Sequence, residues 1–192
     1  KAGMWLVAID GRPLQKGEDY LHRLAGRAGV ETELTLNDKP SPDGARRIVV
    51  KPVGADTNIR YATWIREMRA YVDKASGGKI GYLHLYDMDG LGLRQFARDF
   101  EAQWHKQGFI IDDRWNHGGF VATMIIAHLD RKIFSVGGLR YGKYVDTTPG
   151  RAFHGHMNVL INRQGGSDCE TLAQSFKDFK MGPVIGTRTW GG

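Results

Sequence analysis

Hydrophobic residues change their spacing along this chain, and the change divides it. Met4-Trp5-Leu6-Val7-Ala8-Ile9 is an unbroken strand-like run, closed by the turn dipeptide Asp10-Gly11 and by Arg12-Pro13. Residues 18–25 set Tyr20, Leu21 and Leu24 in helical register, which predicts a short helix. Val30, Thr32, Leu34 and Leu36 alternate with Glu31 and Glu33, the period-two pattern of a half-exposed strand. A Pro/Asp/Gly turn over 37–44 leads to a return strand at 46–50. The first fifty residues thus read as a small β-rich module with one helix.

Pro52 and Gly54 mark 51–58 as a linker, and beyond it the period lengthens. Tyr61, Trp64, Ile65, Met68 and Val72 recur at helical spacing, and the helix ends at Ser76-Gly77-Gly78. A strand at 79–86 precedes a second helical stripe: Leu93, Phe96, Ala97, Phe100 and Trp104. Then come a strand at 109–112, a helix at 120–129, a strand at 157–162, a helix at 167–179 and a strand opening at Val184-Ile185. Alternating short strands and helices predict an α/β class with right-handed crossovers onto a mostly parallel sheet. The aromatic stripes read as core rather than as cofactor contacts.

Composition narrows the function classes. With 41% hydrophobic and 25% charged residues over 192 positions, a packed core in one large or two small domains is expected, not disorder. Lys and Arg (27) outnumber Asp and Glu (21), but Arg46-Arg47 and Arg131-Lys132 are isolated doublets without an aromatic platform. No nucleic-acid partner is expected. The longest apolar stretch, 120–129, is too short for a bilayer and carries His128, so no membrane span is expected. One cysteine, Cys169, excludes an internal disulfide framework. No secretory signal heads the sequence, which suggests a cytoplasmic protein; a periplasmic or secreted one is the alternative if a longer chain carries a signal peptide. Lys1 runs at once into a strand and Trp190-Gly191-Gly192 stops on a turn, so both ends read as cuts through something longer.

Two junctions in the second half share one design. Ile110-Ile111-Asp112-Asp113-Arg114-Trp115-Asn116-His117-Gly118-Gly119-Phe120 and Val159-Leu160-Ile161-Asn162-Arg163-Gln164-Gly165-Gly166-Ser167-Asp168 each run from a strand through paired glycines to a helix start. Glycine permits positive φ and close approach to a ligand, and a helix N-terminus offers unpaired N–H groups to a developing anion. Ser167 could serve there as a nucleophile with the Asp168 N–H behind it as oxyanion donor. It could equally be a cap, since Ser167-Asp168-Cys169-Glu170 is a capping box, and the pattern alone favours that reading.

Other constellations are weaker. His154 and His156 share a strand face two residues apart but lack a third metal ligand. Asp112-Asp113 could hold a hard cation, although Arg114 beside it points to an ion pair. Neither glycine pair forms a P-loop or a dinucleotide fingerprint, and no cofactor or metal is expected.

Taken in order, these residues resemble a known family. Val7-Ala8-Ile9-Asp10-Gly11-Arg12-Pro13-Leu14 looks like the strand and turn of a PDZ domain in bacterial processing proteases. Gly81-Tyr82-Leu83-His84-Leu85, Asn116-His117-Gly118-Gly119-Phe120, Gly166-Ser167-Asp168 and Gly186-Thr187-Arg188-Thr189-Trp190-Gly191-Gly192 resemble the tricorn protease core, related to the C-terminal processing peptidases. The resemblance implies an N-terminally truncated PDZ-like module at 1–53 and a C-terminally truncated, crotonase-like α/β serine peptidase subdomain at 59–192. It implies Ser167 as nucleophile, the N–H groups of Gly119 and Asp168 as oxyanion hole, and Gly118 and Gly166 as supporting turns. Peptide substrates and a homo-oligomeric full-length protein are further implications. In that family the general base is a histidine of a Ser-His pair before the PDZ module, and a supporting glutamate follows the last motif. His84, His117, His154 and His156 do not match that base, so the chain alone is expected to be inactive. Where the family selects basic side chains with an acid, this chain reads Ser135-Val136-Gly137-Gly138. A non-catalytic peptide-binding PDZ module stands as the alternative, with an extended peptide added to a strand edge.

Overall fold

In the computed structural model, which describes residues 3–192, the alternation of the first half becomes an antiparallel sheet. Its strands are β1 (Trp5–Ile9), β2 (Arg12–Pro13), β3 (Thr32–Asn37) and β4 (Arg46–Val50), in the order β2-β1-β3-β4. Asp10 (φ 47°) and Gly11 (φ 72°) make the two-residue link between β1 and β2, a turn that needs positive φ at both positions. Arg12-Pro13, expected only as turn, pairs with Ala8 and Ile9 on an edge where proline's missing N–H costs nothing. The helix expected at 18–25 shortens to α1 (Tyr20–Leu24), because Asp19 caps it by accepting the Leu21 N–H at 2.9 Å. Strand pairing starts at Thr32 rather than Val30, whose N–H turns back to the Arg27 carbonyl.

The expected linker at 51–58 runs into α2 (Thr57–Ala75), and residue contacts divide the chain after Ala62. The second unit then alternates as predicted: β5 (Ile80–His84), α3 (Gly90–Glu101), β6 (Gly108–Asp112) and α4 (Ala122–Leu129). A hairpin of β7 (Ser135–Gly138) and β8 (Val145–Thr148) follows, then β9 (His156–Ile161), α5 (Asp168–Asp178) and β10 (Val184–Gly186). Four strands form a wholly parallel sheet in the order β10-β9-β6-β5. The register aligns Leu83 with Ile111 and Ile111 with Val159, so one face of the pleat is continuous apolar surface. Phe96 and Phe100 of α3, Ile125 and Leu129 of α4, and Leu172 and Phe176 of α5 close over that face. Phe100 stacks on Phe109 at 5.5 Å between ring centres, and Phe153 meets Phe109 edge-on at 4.8 Å. Burying each such ring stabilises by about 1.5–3 kcal/mol, which makes this cluster the anchor of the sheet.

Three details differ from expectation. The helix predicted from Phe120 starts at Ala122, because the N–H groups of Phe120 and Val121 both donate to the Met88 carbonyl (2.7 and 3.0 Å) instead of opening the helix. The β7–β8 hairpin was not anticipated, since Ser135-Val136-Gly137-Gly138 is exposed throughout and carries no apolar alternation. His154 lies outside β9, which begins to pair at His156 opposite Gly108, so the two histidines do not share a strand face. Among the described residues, no helix is long and apolar enough to cross a membrane.

Candidate active site

Both glycine junctions lie at the C-terminal ends of neighbouring strands, where open parallel sheets place their ligands. The link between them starts at Asn116, which is fully buried. Its Nδ2 donates to Asp113 Oδ1 at 2.7 Å, its Oδ1 accepts the Gly118 N–H at 2.9 Å, and its carbonyl accepts the Gly166 N–H at 3.0 Å. Trp115 N–H donates across the gap to Asn162 Oδ1 at 3.0 Å, and the Asp168 carboxylate accepts the Ala122 N–H at 2.7 Å, satisfying the start of α4 from the start of α5. Each loop thus carries bonds that fix the other.

The approach is closest at the glycines. A Cβ added to Gly118 (φ 92°) would sit 2.6 Å from Ser167 Cβ and 2.9 Å from the Asp168 nitrogen. One added to Gly119 (φ 151°) would fall 2.2 Å from the Met88 carbonyl oxygen, against which Gly119 forms a parallel bridge. Only glycine fits either position. Among the described residues, the N–H groups of Gly119 and Asp168 donate to no acceptor.

Ser167 is exposed and precedes α5 with φ 55° and ψ −126°. A side-chain-bearing residue in that region costs about 1–3 kcal/mol, a strain found where a sharp turn must present a side chain. The capping box is also formed. Its Glu170 arm is direct: the Ser167 N–H donates to Glu170 Oε2 at 3.1 Å, while the Glu170 N–H also makes a backbone turn bond to the Ser167 carbonyl at 2.8 Å. Glu170 does more than cap: its carboxylate accepts the N–H groups of Gly191 (2.6 Å) and Gly192 (3.2 Å). A hydrogen bond from Thr189, then those backbone donors, hold it below the usual carboxylate range. Trp190 N–H donates to the Gly165 carbonyl at 2.9 Å, folding the last residues over Gly166.

Beneath the loops lies a buried polar layer. Burial, chiefly, pushes the Asp113 carboxyl well above its ordinary range, and its Oδ2 has no hydrogen-bond partner. Cys169, also fully buried, donates its thiol to the Asp113 carbonyl at 3.5 Å and is itself raised, first by burial and then by the Asp113 charge. On the face of the sheet away from the aromatic core, Asp112 takes two bonds from Arg114 (2.8 and 2.6 Å) and one from the Tyr82 hydroxyl (2.7 Å).

Peptidase family S41 matches residues 79–192, and the tricorn protease PDZ domain matches residues 1–55. This chain belongs to peptidase family S41. Tricorn protease of Thermoplasma volcanium is 33% identical over 97% of the chain, and tricorn protease homolog 1 of Streptomyces coelicolor 36% identical over all of it. A crystal structure of the tricorn protease superposes with a TM-score of 0.87 at 35% identity, covering 99% of the chain. The chain spans 18% of the length of each of these relatives.

Within this S41 chain the residues singled out from sequence fall into two groups. Ser167, Gly118, Gly119, Gly166 and Asp168 come together. The histidines do not join them as a base. His84 is buried, with Nε2 3.2 Å from the Arg114 carbonyl and its ring edge-on to Trp64, and burial lowers its pKa. His117 faces a small cavity beside Gly166, and His154 and His156 lie at the opposite end of β9 from Ser167. Among the described residues no imidazole is hydrogen-bonded to Ser167, and no three His, Cys, Asp or Glu residues are grouped to hold a metal. Asn116, which ties the loops together, is the residue that sequence reasoning misses. Its one signal was position: an amide two residues before paired glycines can cap their turn with its own side chain.

Proposed function

We propose that this chain supplies the nucleophile and oxyanion hole of a tricorn-like serine peptidase acting on peptides, with a PDZ-like module at 1–53 and a crotonase-like peptidase subdomain at 59–192. The observation that carries this is the strained, exposed Ser167, set so close to Gly118 that a Cβ there would meet it, and two nearby N–H groups, of Gly119 and Asp168, that donate to no acceptor among the described residues. In the reaction the Ser167 Oγ adds to the scissile carbonyl while a base takes its proton. The Gly119 and Asp168 N–H groups donate to the oxygen that becomes anionic, aided by the positive end of α5. Collapse expels the amine, which receives the proton, and water then cleaves the acyl ester by the same steps. The carboxylate of Asp168 is committed to α4, so Asp168 acts through its backbone alone.

In this reading the base is a histidine outside this chain, as the resemblance to the tricorn core implies, and it is supported by the lack of an imidazole hydrogen-bonded to Ser167 among the described residues. The chain alone is therefore expected not to turn over peptides, and the homo-oligomeric state of the full-length protein belongs to the same reading. The test uses the full-length protein and a serine-directed phosphonate. Stoichiometric labelling at Ser167, lost with peptide turnover in Ser167→Ala, is the expected result. Unchanged turnover in Ser167→Ala would overturn the assignment, since removing a serine nucleophile costs on the order of 10⁶ in kcat.

A further inference from the structure

A cavity of about 340 Å³ opens between the two junctions, lined by His117, Arg163, Gln164, Gly166 and Trp190. Its walls come from the same loops that hold the glycines: Gly166 precedes Ser167, and His117 precedes Gly118. The Trp190 ring lies over Gly166, with Cε3 3.0 Å from where a Cβ would stand, and makes a flat apolar side. The other walls end in polar groups. Arg163 is exposed and makes no ion pair or hydrogen bond among the described residues, and the same holds for His117 and Gln164.

Each neighbouring acid is already committed. Asp112 is held by Arg114 and Tyr82, Asp113 by Asn116, Asp168 by the Ala122 N–H, and Glu170 by Ser167, Gly191 and Gly192. Among the described residues none of these four carboxylates pairs with the guanidinium at 163. Its planar fork of donors matches a carboxylate, and a cavity with an aromatic wall accepts the short apolar stem that carries one.

We propose that this cavity is a substrate subsite in which Arg163, with Gln164 and His117 beside it, binds a carboxylate of the peptide next to the bond Ser167 attacks. The proposal rests on the peptidase reading above and adds the substrate class. The carboxylate is that of a Glu or Asp side chain or of the peptide's own C-terminus, and the two sources separate experimentally.

Full-length protein is assayed on fluorogenic peptides that carry Glu, Gln or Lys at each position flanking the cleaved bond, each made with a free and with an amidated C-terminus. A charge-assisted hydrogen bond of this kind corresponds to about a ten- to hundredfold preference in kcat/KM. A Glu-over-Gln preference of that size at one position identifies the side chain; a free-over-amidated preference identifies the terminus. Arg163→Gln is expected to bring the ratio close to one, and Arg163→Glu to turn it toward Lys. Because ratios are compared, a general loss of activity in either variant does not mimic the effect. Added salt should weaken the preference of the unmodified protein, a reading that needs no variant. Equal kcat/KM for all peptides, or a ratio that survives Arg163→Gln, would overturn the subsite. Turnover that survives Ser167→Ala would instead sink the nucleophile assignment, so the two failures are separate.

Discussion

Asn116→Ala is the sharpest test of how the two loops are held. The change removes the donor to Asp113 Oδ1 and the acceptor of the Gly118 N–H, bonds of 2.7 and 2.9 Å at a residue with no exposed surface. Water has no route in to replace them without opening the loop. Asp113 then loses the amide donor to Oδ1, and its Oδ2 already lacks a partner. A buried group left unpaired costs about 1–3 kcal/mol, so the two together should destabilise by roughly 2–6 kcal/mol. The bond from Gly166 N–H to the carbonyl of residue 116 is backbone and survives, which keeps the loss from being larger.

Three measurements follow this change at different ranges. Urea unfolding reports the whole, and amide hydrogen exchange at Gly118 reports the bond itself, whose protection should vanish. Phosphonate labelling of Ser167 should slow by about 10²–10³, the usual effect of losing an oxyanion donor, since Gly119 follows Gly118 in the freed segment. Asn116→Asp keeps an acceptor for Gly118 but sets a second carboxyl against Asp113. It should be less stable than Asn116→Ala at neutral pH and recover at acid pH, where the two carboxyls share protons. A stability change below about 0.5 kcal/mol with Gly118 still protected would refute the view that this amide holds the site together.

Two further outcomes test the layer under the loops. Asp113 keeps its proton in the folded state where the unfolded chain releases one near pH 4, so its contribution is full below that pH and is lost as pH rises toward the raised folded value. Asp113→Asn has no such proton, so urea midpoints from pH 4 to 8 should shift increasingly in favour of the variant; a difference flat with pH contradicts the assignment. Cys169 is buried and its thiol is raised, so it should resist iodoacetamide at pH 8 in the native protein and react once urea unfolds it. Rapid native alkylation would show that the loops open far more readily than their bonds imply.

How much of this was legible in the sequence depended on what each element is made from. The parallel sheet was readable because Leu83, Phe109, Ile111 and Val159 sit in short apolar runs and the stripes on α2 and α3 follow from helical spacing. The β7–β8 hairpin was not, because it is held by backbone pairing between exposed segments and leaves no apolar period. The start of α4 was misplaced by two residues for a related reason. Phe120 looked like the first apolar position of a helix, yet it is 91% exposed, and its N–H belongs to the Met88 bridge that fixes Gly119. In the site, composition identified glycines and a helix start but not their partners. The bonds that join the junctions connect residues about 50 apart, such as Asn116 with Gly166, and no local pattern encodes such a pairing.

Capping and catalysis competed for Ser167 because both need a hydroxyl residue at a helix start, and backbone geometry is what separates them. A residue that only caps sits in the β region, as Asp19 does before α1 with φ −77° and ψ 104°. Ser167 adopts φ 55° and ψ −126° although a serine could cap without it. The energy of that distortion must be met by surrounding bonds, and they are present: Gly166 is tied to Asn116, Ser167 to Glu170, and Glu170 in turn to Gly191 and Gly192. A cap alone would not require this network. Holding an exposed hydroxyl beside two N–H groups that have no acceptor among the described residues would, and the strain at 167 is thus an argument for chemistry that the four-residue capping motif could not supply.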